Sequence, residues 1–492
     1  MQAYAIYGPP GTGKSTEIIR RYKSLLDEGA DENRIGLVSF TKAAAAELAH
    51  RIGSVNRNIA TIHSYCYRIV GATRAQVIGW SHLKEFEKVV QIEITGQNPD
   101  ESEELSEGDY YLALEGLARA RMESYEETYD DSDQPGERQR FLYFAQTYNN
   151  WKQAYGYIDF ADMLRDALDC PPPPLDFLFV DEAQDLSPLQ WEVIRHWAGT
   201  IGQITIAGDD DQAIYVWGGA DPEGMSYFER EYGADRTVLG QSFRIPAKVH
   251  DLAQSLITRV HTRVDKQYRP RAEQGNVELI FDQNKLRFEH GEDTLVLFRN
   301  HAYRGEVEEI LIRHAIPYVV DSGKPGILQG GAMGAIRMFK KLRDNLENLG
   351  IAALNDKEMR ILNRWINPIT KGRLERGDYD YVLSRGWKDH LRVQGNWQSY
   401  LSRVETKYGF NVVPTIHLST IHGSKGREAD RVVLINGVLN RISEGMSERR
   451  DLYDAEMRTF YVGVTRARKK LDILEAENAL PQLYYTRSKG VA

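Results

Sequence analysis

The sequence predicts an α/β fold of parallel sheets, and three observations predict it. A short apolar strand, Tyr4-Ala5-Ile6-Tyr7, runs through a glycine-rich turn into an amphipathic helix carrying Ile18, Ile19, Tyr22, Leu25 and Leu26. Further apolar runs alternate with helical stretches, a pattern that implies parallel strands covered on both faces. The second half of the chain repeats the plan without the glycine-rich turn.

The turn is Gly8-Pro9-Pro10-Gly11-Thr12-Gly13-Lys14-Ser15-Thr16, a phosphate-binding loop. Its glycines let backbone N–H groups and the positive end of the next helix point into one concavity that suits a polyphosphate. Lys14 would reach the β- and γ-phosphates, and the Ser15 hydroxyl would take one position on Mg²⁺. Gly8, Pro9, Gly11, Thr12, Gly13, Lys14, Ser15 and Thr16 are therefore the candidate nucleotide-binding residues. The loop alone specifies a nucleoside triphosphate. Kinases, AAA+ machines, GTPases and helicases all share it.

Ile35 to Phe40 is the next strand, followed by Thr41-Lys42 and an alanine-rich helix through Ala49; Ala60 to Tyr65 opens another unit. From about Ala75 to Leu164 the chain is mostly helical, and its tract from Glu126 to Gly136 reads as a solvated loop. Phe177 to Val180 returns to the sheet and ends in Asp181-Glu182-Ala183-Gln184-Asp185. A carboxylate at the end of a buried strand beside a phosphate loop is placed to hold Mg²⁺, and its neighbour to act as general base. We assign Asp181 to the metal and Glu182 to the base. Ile204 to Ala207 is the next strand, followed by Gly208 to Trp217. In the second half Thr294–Phe298, Ile316–Val320 and Arg431–Ile435 read as strands, with a second helical insertion at 326–412.

With 492 residues, 42% hydrophobic and 27% charged, the chain is ordinary globular material long enough for three or four domains. It contains no apolar run of membrane-spanning length and opens directly on a strand, so no membrane partner and a cytoplasmic location are expected. Cys66 and Cys170 are too few for a disulfide framework or a zinc cluster. The net charge of −9 conceals an asymmetry: residues 76–164 carry 7 Lys and Arg against 19 Asp and Glu, a net of −12. Residues 326–412 carry 15 against 9, a net of +6. Because a groove needs only local positive potential and aromatic stacking adds affinity, overall acidity does not exclude DNA.

Taken in order, the segments resemble the UvrD/Rep family of superfamily 1A DNA helicases. Gly8–Thr16 resembles motif I, Ser39–Ala44 motif Ia, Thr61–Ser64 motif Ib, and Val180–Asp185 motif II. Gly208–Asp221 resembles motif III, Gln241–Arg244 motif IV, Thr420–Glu428 motif V, and Phe460–Ala467 motif VI. The resemblance implies two RecA-like domains with ATP hydrolysed in the cleft between them. The domains would be 1–75 with 165–240 and 241–325 with 413–492, interrupted by an acidic helical insertion, 76–164, and a reduced basic one, 326–412.

On the same basis Arg244 and Arg466 match the family's arginine fingers, both from the second domain, and Gln212 matches the γ-phosphate sensor. Phe243 matches the ring that stacks on adenine, and Glu428 the nucleotide-contacting acid of motif V. Tyr215 and Trp217 match rings on which bases stack, and Phe40, Thr41, His63, Thr420 and His422 match further strand contacts. Tyr215-Val216-Trp217 also falls where a strand's C-terminal end is expected, the place where open α/β sheets bind ligands.

The family's usual glutamine segment before motif I has no counterpart among Met1–Tyr7, and the second insertion is shorter than usual. Little of the family's C-terminal extension and no nuclease domain is expected after motif VI. The expected activity is an ATP- and Mg²⁺-dependent single-stranded DNA translocase and 3′→5′ helicase. It would act on single strands and single/double-strand junctions, with replication or repair proteins as partners, at the nucleoid or, for a viral protein, in host cytoplasm. The alternative is a DNA-stimulated ATPase that displaces proteins from DNA or serves as a subunit without unwinding alone. A small-molecule kinase would leave motifs III to VI unexplained.

Overall fold

The computed structural model describes residues 1–97, 105–132, 136–321, 331–409 and 411–483. They form two compact units, 1–275 with 439–465, and 276–438 with 466–483. The stretches 241–275 and 439–465, assigned from sequence to the second RecA-like domain, thus pack in the first unit. A buried set of ion pairs, described below, holds them there.

The sheet of the first unit contains β1 (Gln2–Tyr7), β2 (Ile35–Val38), β3 (Ile59–Ala60), β4 (Phe177–Val180), β5 (Gln203–Gly208) and β6 (Asp235–Val238). Neighbours in the order β3-β2-β4-β5-β1-β6 pair in parallel. Side chains alternate between two cores: Leu178 and Val180 pack on one face with Trp191 and Trp197, and Phe179 on the other with Ile18, Tyr22 and Leu37. Burial on both faces explains why β1, β2, β4 and β5 read as continuous apolar runs, whereas the edge strand β6 is largely exposed.

Register then decides where the chemistry sits. Val38 pairs with Val180, Val180 with Ile206, and Ile206 with Ala5, so the chain leaves four strands at nearly one level. The segments that start at Gly8, Ser39, Asp181 and Asp209 therefore emerge along one edge of the sheet, the ligand-binding edge of open α/β sheets.

The acidic insertion builds a core of its own from Phe86, Tyr111, Phe141, Phe144, Tyr148 and Trp151. The tract read as a solvated loop is in part ordered, since Tyr125–Asp130 is a helix with Thr128 and Tyr129 buried. Ser124 and Glu127 satisfy each other's backbone N–H groups in a capping box, which outweighs the tract's acidity. Its residues 133–135 lie outside the described ones.

The second unit holds β7 (Asn276–Ile280), β8 (Thr294–Phe298), β9 (Tyr318–Val320), β10 (Ile416–Thr420), β11 (Ala429–Asn436) and β12 (Ala467–Glu475). They are parallel in the order β7-β12-β11-β8-β10-β9. Among the described residues, the basic insertion shares the core of this unit. Phe339 and Leu342 of the helix Ala332–Leu349, and Tyr400 and Val404 of the helix Gly395–Tyr408, join Phe298, Leu418 and Val433 in one cluster. Two parallel-sheet α/β domains are thus present, and no helix among the described residues is long and apolar enough to cross a membrane.

Candidate functional site

The phosphate loop is built by close approach. A Cβ on Gly8 would lie 2.0 Å from Lys14 Cγ, and Gly11 and Gly13 take left-handed φ values of 72° and 88° that favour glycine. Thr12 Oγ1 closes the loop by donating to the Pro9 carbonyl at 2.7 Å. No side chain caps the helix Lys14–Asp27, so its first-turn amides are left for an anion. Lys14 Nζ donates to the Gly8 carbonyl at 3.0 Å and lies 4.0 Å from Glu182 Oε1.

Asp181 is buried at the end of β4, with its N–H held by the Val38 carbonyl at 2.8 Å, and its Oδ1 has no hydrogen-bond partner. Burial, reinforced by Glu182 and opposed by Lys14, pushes its carboxyl up to about 7. A buried carboxylate oxygen without a donor fits a cation, and Ser15 lies in the first turn of the facing helix. Asp181 and Ser15 would hold Mg²⁺, and Lys14 with the loop amides would hold the triphosphate.

Glu182 sits in left-handed backbone, φ 53°. Gln184, fully buried, donates through Nε2 to Glu182 Oε2 at 2.6 Å and accepts the Asp209 N–H on Oε1 at 2.9 Å. A Cβ on Gly208 would lie 2.4 Å from that Oε1, so a larger residue where β5 meets the bridge would push the Gln184 amide aside. Gly208 in turn accepts the Gly8 N–H at 2.9 Å, which places the turn Asp210–Gln212 beside the phosphate loop. Gln212 Nε2 donates to Asp209 Oδ2 at 2.8 Å.

The predicted adenine-stacking segment docks on the same loop. Phe243 N–H donates to the Gly11 carbonyl at 2.9 Å and Ser242 Oγ to the Pro10 carbonyl at 2.8 Å. A Cβ on Gly11 would fall 2.3 Å from Arg244 Cβ. Phe243 is 74% exposed, a large ring left open above a phosphate site.

Further along the sheet edge lies an aromatic surface. Phe40 stacks on Tyr215 with centroids 5.0 Å apart and planes at 20°, and Tyr215 meets Trp217 edge-on at 6.3 Å. Trp217 is 41% exposed. Thr41 caps the helix Lys42–Ile52 by accepting the Ala44 N–H at 3.1 Å. His63 contacts Phe160 edge-on at 5.2 Å, and burial pushes its imidazole down to about 4.

Phe160 is a residue that motif reading missed. It is 62% exposed at the start of the helix Phe160–Leu168, between Asp159 and Asp162, which form a capping box. Both carboxylates are gripped within the acidic insertion, Asp159 by Arg119 at 2.8 Å and Asp162 by Lys152 at 2.9 Å. The sequence offers only an aromatic residue opening an amphipathic helix, which does not reveal that the ring is exposed. Gln184, Lys266, Arg263 and Arg458 were also missed. The first lies inside a recognised motif, but Lys266 and Arg263 stand more than fifty residues from the carboxylates they hold, and Arg458 far from the Asp210 and Thr262 carbonyls to which it donates.

In the second unit, Thr420 ends β10 and its Oγ1 accepts the Gly423 N–H at 3.0 Å, with His422 buried in the intervening turn. Arg466 is buried; its Nη1 donates to the Arg427 carbonyl at 3.3 Å and its own carbonyl accepts the Ala429 N–H at 3.1 Å. Glu428 lies 3.6 Å from Arg468. Of the two predicted arginine fingers, Arg244 therefore packs with the phosphate loop in the first unit and Arg466 belongs to the second.

A parallel sheet whose first strand feeds a phosphate loop, with a buried aspartate ending a nearby strand, defines a P-loop NTPase fold. The chain belongs to the UvrD/Rep-like family of superfamily 1A. Residues 2–233 match the UvrD/REP helicase N-terminal domain and residues 398–478 the UvrD-like helicase C-terminal domain. Among curated relatives, DNA helicase II of Haemophilus influenzae is 27% identical over 410 residues, 74% of this chain and 54% of that protein. DNA helicase II of Escherichia coli is 25% identical over 410 residues, with the same coverage of 74% and 54%. The ATP-dependent DNA helicase UvrD1 of Mycobacterium tuberculosis is 26% identical over 376 residues, 64% of this chain and 47% of its own length. The chain spans about half the length of the curated relatives it matches.

Proposed function

We propose that this chain is an ATP- and Mg²⁺-dependent translocase on single-stranded DNA that separates duplex with 3′→5′ polarity. One observation carries the reading. The turn that ends in Gln212 beside the phosphate loop continues, three residues later, into the Tyr215 and Trp217 rings of the exposed aromatic surface. A change at the γ-phosphate is thereby joined by a few backbone bonds to a surface suited to stacked bases. The names of the relatives, DNA helicases, support the same reading.

In this reading Lys14 faces the β- and γ-phosphates, Asp181 and Ser15 hold the metal, and Glu182, steadied by Gln184, accepts the proton of the attacking water. Bound ATP and Mg²⁺ supply the transferable phosphoryl group and the charge that activates it. Gln212 reads the γ-phosphate, Phe243 stacks on adenine and Glu428 contacts the nucleotide. Arg244 and Arg466 bring positive charge to the transferring group, with hydrolysis in the cleft between the RecA-like domains. The strand runs over Phe40, Thr41, His63, Tyr215 and Trp217 in one domain and over Thr420 and His422 in the other, and Phe160 extends the first set.

The substrate is a single strand or its junction with duplex, the basic insertion faces the duplex, and the setting is replication or repair in the cytoplasm or nucleoid. The borders 75/76, 164/165, 240/241, 325/326 and 412/413 are the domain limits of this reading, which counts 241–275 and 439–465 with the second RecA-like domain although they pack in the first compact unit.

The test is ATP hydrolysis with and without single-stranded DNA. DNA should stimulate hydrolysis, Lys14→Ala should abolish it, and Trp217→Ala should raise the DNA concentration required without changing the DNA-free rate. Hydrolysis indifferent to single-stranded DNA would overturn the reading.

A further inference from the structure

Three segments distant in sequence meet at the turn after β5. Lys266, 1% exposed at its side chain, places Nζ 3.3 Å from Asp209 Oδ1 and 3.1 Å from Asp211 Oδ2, and also donates to Asp210. Arg263 grips Asp211 through two bonds of 2.9 and 2.8 Å, and the Val264 N–H donates to Asp210 Oδ2 at 2.7 Å. From the helix Arg450–Val464, Arg458 donates to the Asp210 carbonyl at 3.0 Å and to the Thr262 carbonyl. Asp454 on that helix accepts the His261 and Thr262 N–H groups at 3.0 and 3.2 Å.

Three adjacent buried carboxylates are an expensive way to hold a turn together. An ion cluster of this kind often stabilises no better than apolar packing of the same volume, so its geometry is the more informative property. Asp209 is the shared element. Its Oδ2 accepts from Gln212 at 2.8 Å while its Oδ1 faces Lys266. The chain Lys266–Asp209–Gln212 leaves the Asp209 carboxylate little freedom to rotate.

We propose that Lys266 is a positioning residue for Gln212, fixing it through Asp209 in the geometry that hydrolysis needs, with Arg263 and Arg458 clamping the same turn. The inference rests on the proposed ATPase reading of this site. Lys266 acts through the Asp209 carboxylate. Its loss should therefore affect turnover and discrimination between tri- and diphosphate more than nucleotide binding itself.

The experiment compares the full-length chain with Lys266→Gln, Lys266→Arg and the charge-balanced pair Lys266→Met with Asp210→Asn. Thermal melting, affinity for ADP and for a non-hydrolysable ATP analogue, and kcat and KM of DNA-stimulated hydrolysis are measured on each. In Lys266→Gln and the double variant, kcat should fall about 10- to 100-fold and preference for the ATP analogue should drop, with ADP affinity within about threefold of wild type. Lys266→Arg should retain most of the wild-type rate. A folded Lys266→Gln or double variant with wild-type kcat and wild-type preference overturns the inference. So does a uniform loss in which kcat and both affinities fall together, the mark of general loosening. A wild-type chain without Lys14-dependent hydrolysis overturns the ATPase reading itself, and the inference with it.

Discussion

Gln184 donates to Glu182 at 2.6 Å and, through its other amide atom, accepts the Asp209 N–H at 2.9 Å. One buried amide thus orients the proposed general base and ties it to the turn carrying Gln212. The bridge fixes the Glu182 carboxylate although its backbone lies in a strained region.

Gln184→Ala should therefore lower kcat by about 10-fold or more with little change in KM, because the base loses its orientation while the phosphate loop stays intact. It should also cost about 1–3 kcal/mol of stability, since the buried Asp209 N–H loses its acceptor. Steady-state kinetics and denaturant unfolding check both. An unchanged kcat would remove Gln184 from the account.

Trp217→Ala and Phe160→Ala should each weaken single-stranded DNA binding by about 1–3 kcal/mol, the usual worth of one stacked base. The loss should be sequence-indifferent, and the salt dependence should stay unchanged because no phosphate contact is removed. Fluorescence titrations at two salt concentrations read this directly. A reduced salt slope would mean that the rings act through the backbone and not through bases.

Little of this surface beyond the motifs was legible in sequence. Lys14, Asp181 and Gln212 stand in short patterns whose chemistry is local, and the strands that carry them are apolar runs readable by inspection. Phe160 and Lys266 have no such pattern. One is recognisable only once the capping of its helix and its exposure are known, the other only once the fold brings it to Asp209, Asp210 and Asp211. The helix at Tyr125–Asp130 shows the opposite failure: its Ser124/Glu127 capping box was present in the sequence, but the acidic composition suggested a loop.

His63 is held neutral by burial, its pKa pushed down from an ordinary value near 6.5 to about 4. Between those values the unfolded chain binds more protons at this residue than the folded one. The His63 contribution to stability is therefore greatest above about pH 6.5 and is lost as pH falls towards 4. His63→Gln should flatten that part of the stability profile, and the wild-type imidazole should show no NMR titration between pH 6 and 8. A midpoint near 6.5 would show that the ring is solvated.

In the basic insertion, Arg373 pairs with Asp378 and lies 4.9 Å over the Tyr381 ring, which Arg385 also approaches at 4.8 Å. Reversing Arg373 and Arg376 to Glu should weaken binding of a forked duplex more than binding of a single strand if this face meets the duplex ahead of the junction. Arg376→Glu alone leaves the Arg373 pair intact and should act in the same direction. Equal losses on both substrates would assign the patch to general attraction.

The proposed motor moves 3′→5′ along one strand. Its most direct test is ATP-dependent unwinding of two duplexes, one with a 3′ single-stranded tail and one with a 5′ tail, with Lys14→Ala as the blank. Unwinding of the 3′-tailed duplex alone is expected. Unwinding of the 5′-tailed duplex alone would contradict the polarity. Failure on both, with hydrolysis still stimulated by single strands, would contradict unwinding and leave a translocase or a subunit of a larger assembly.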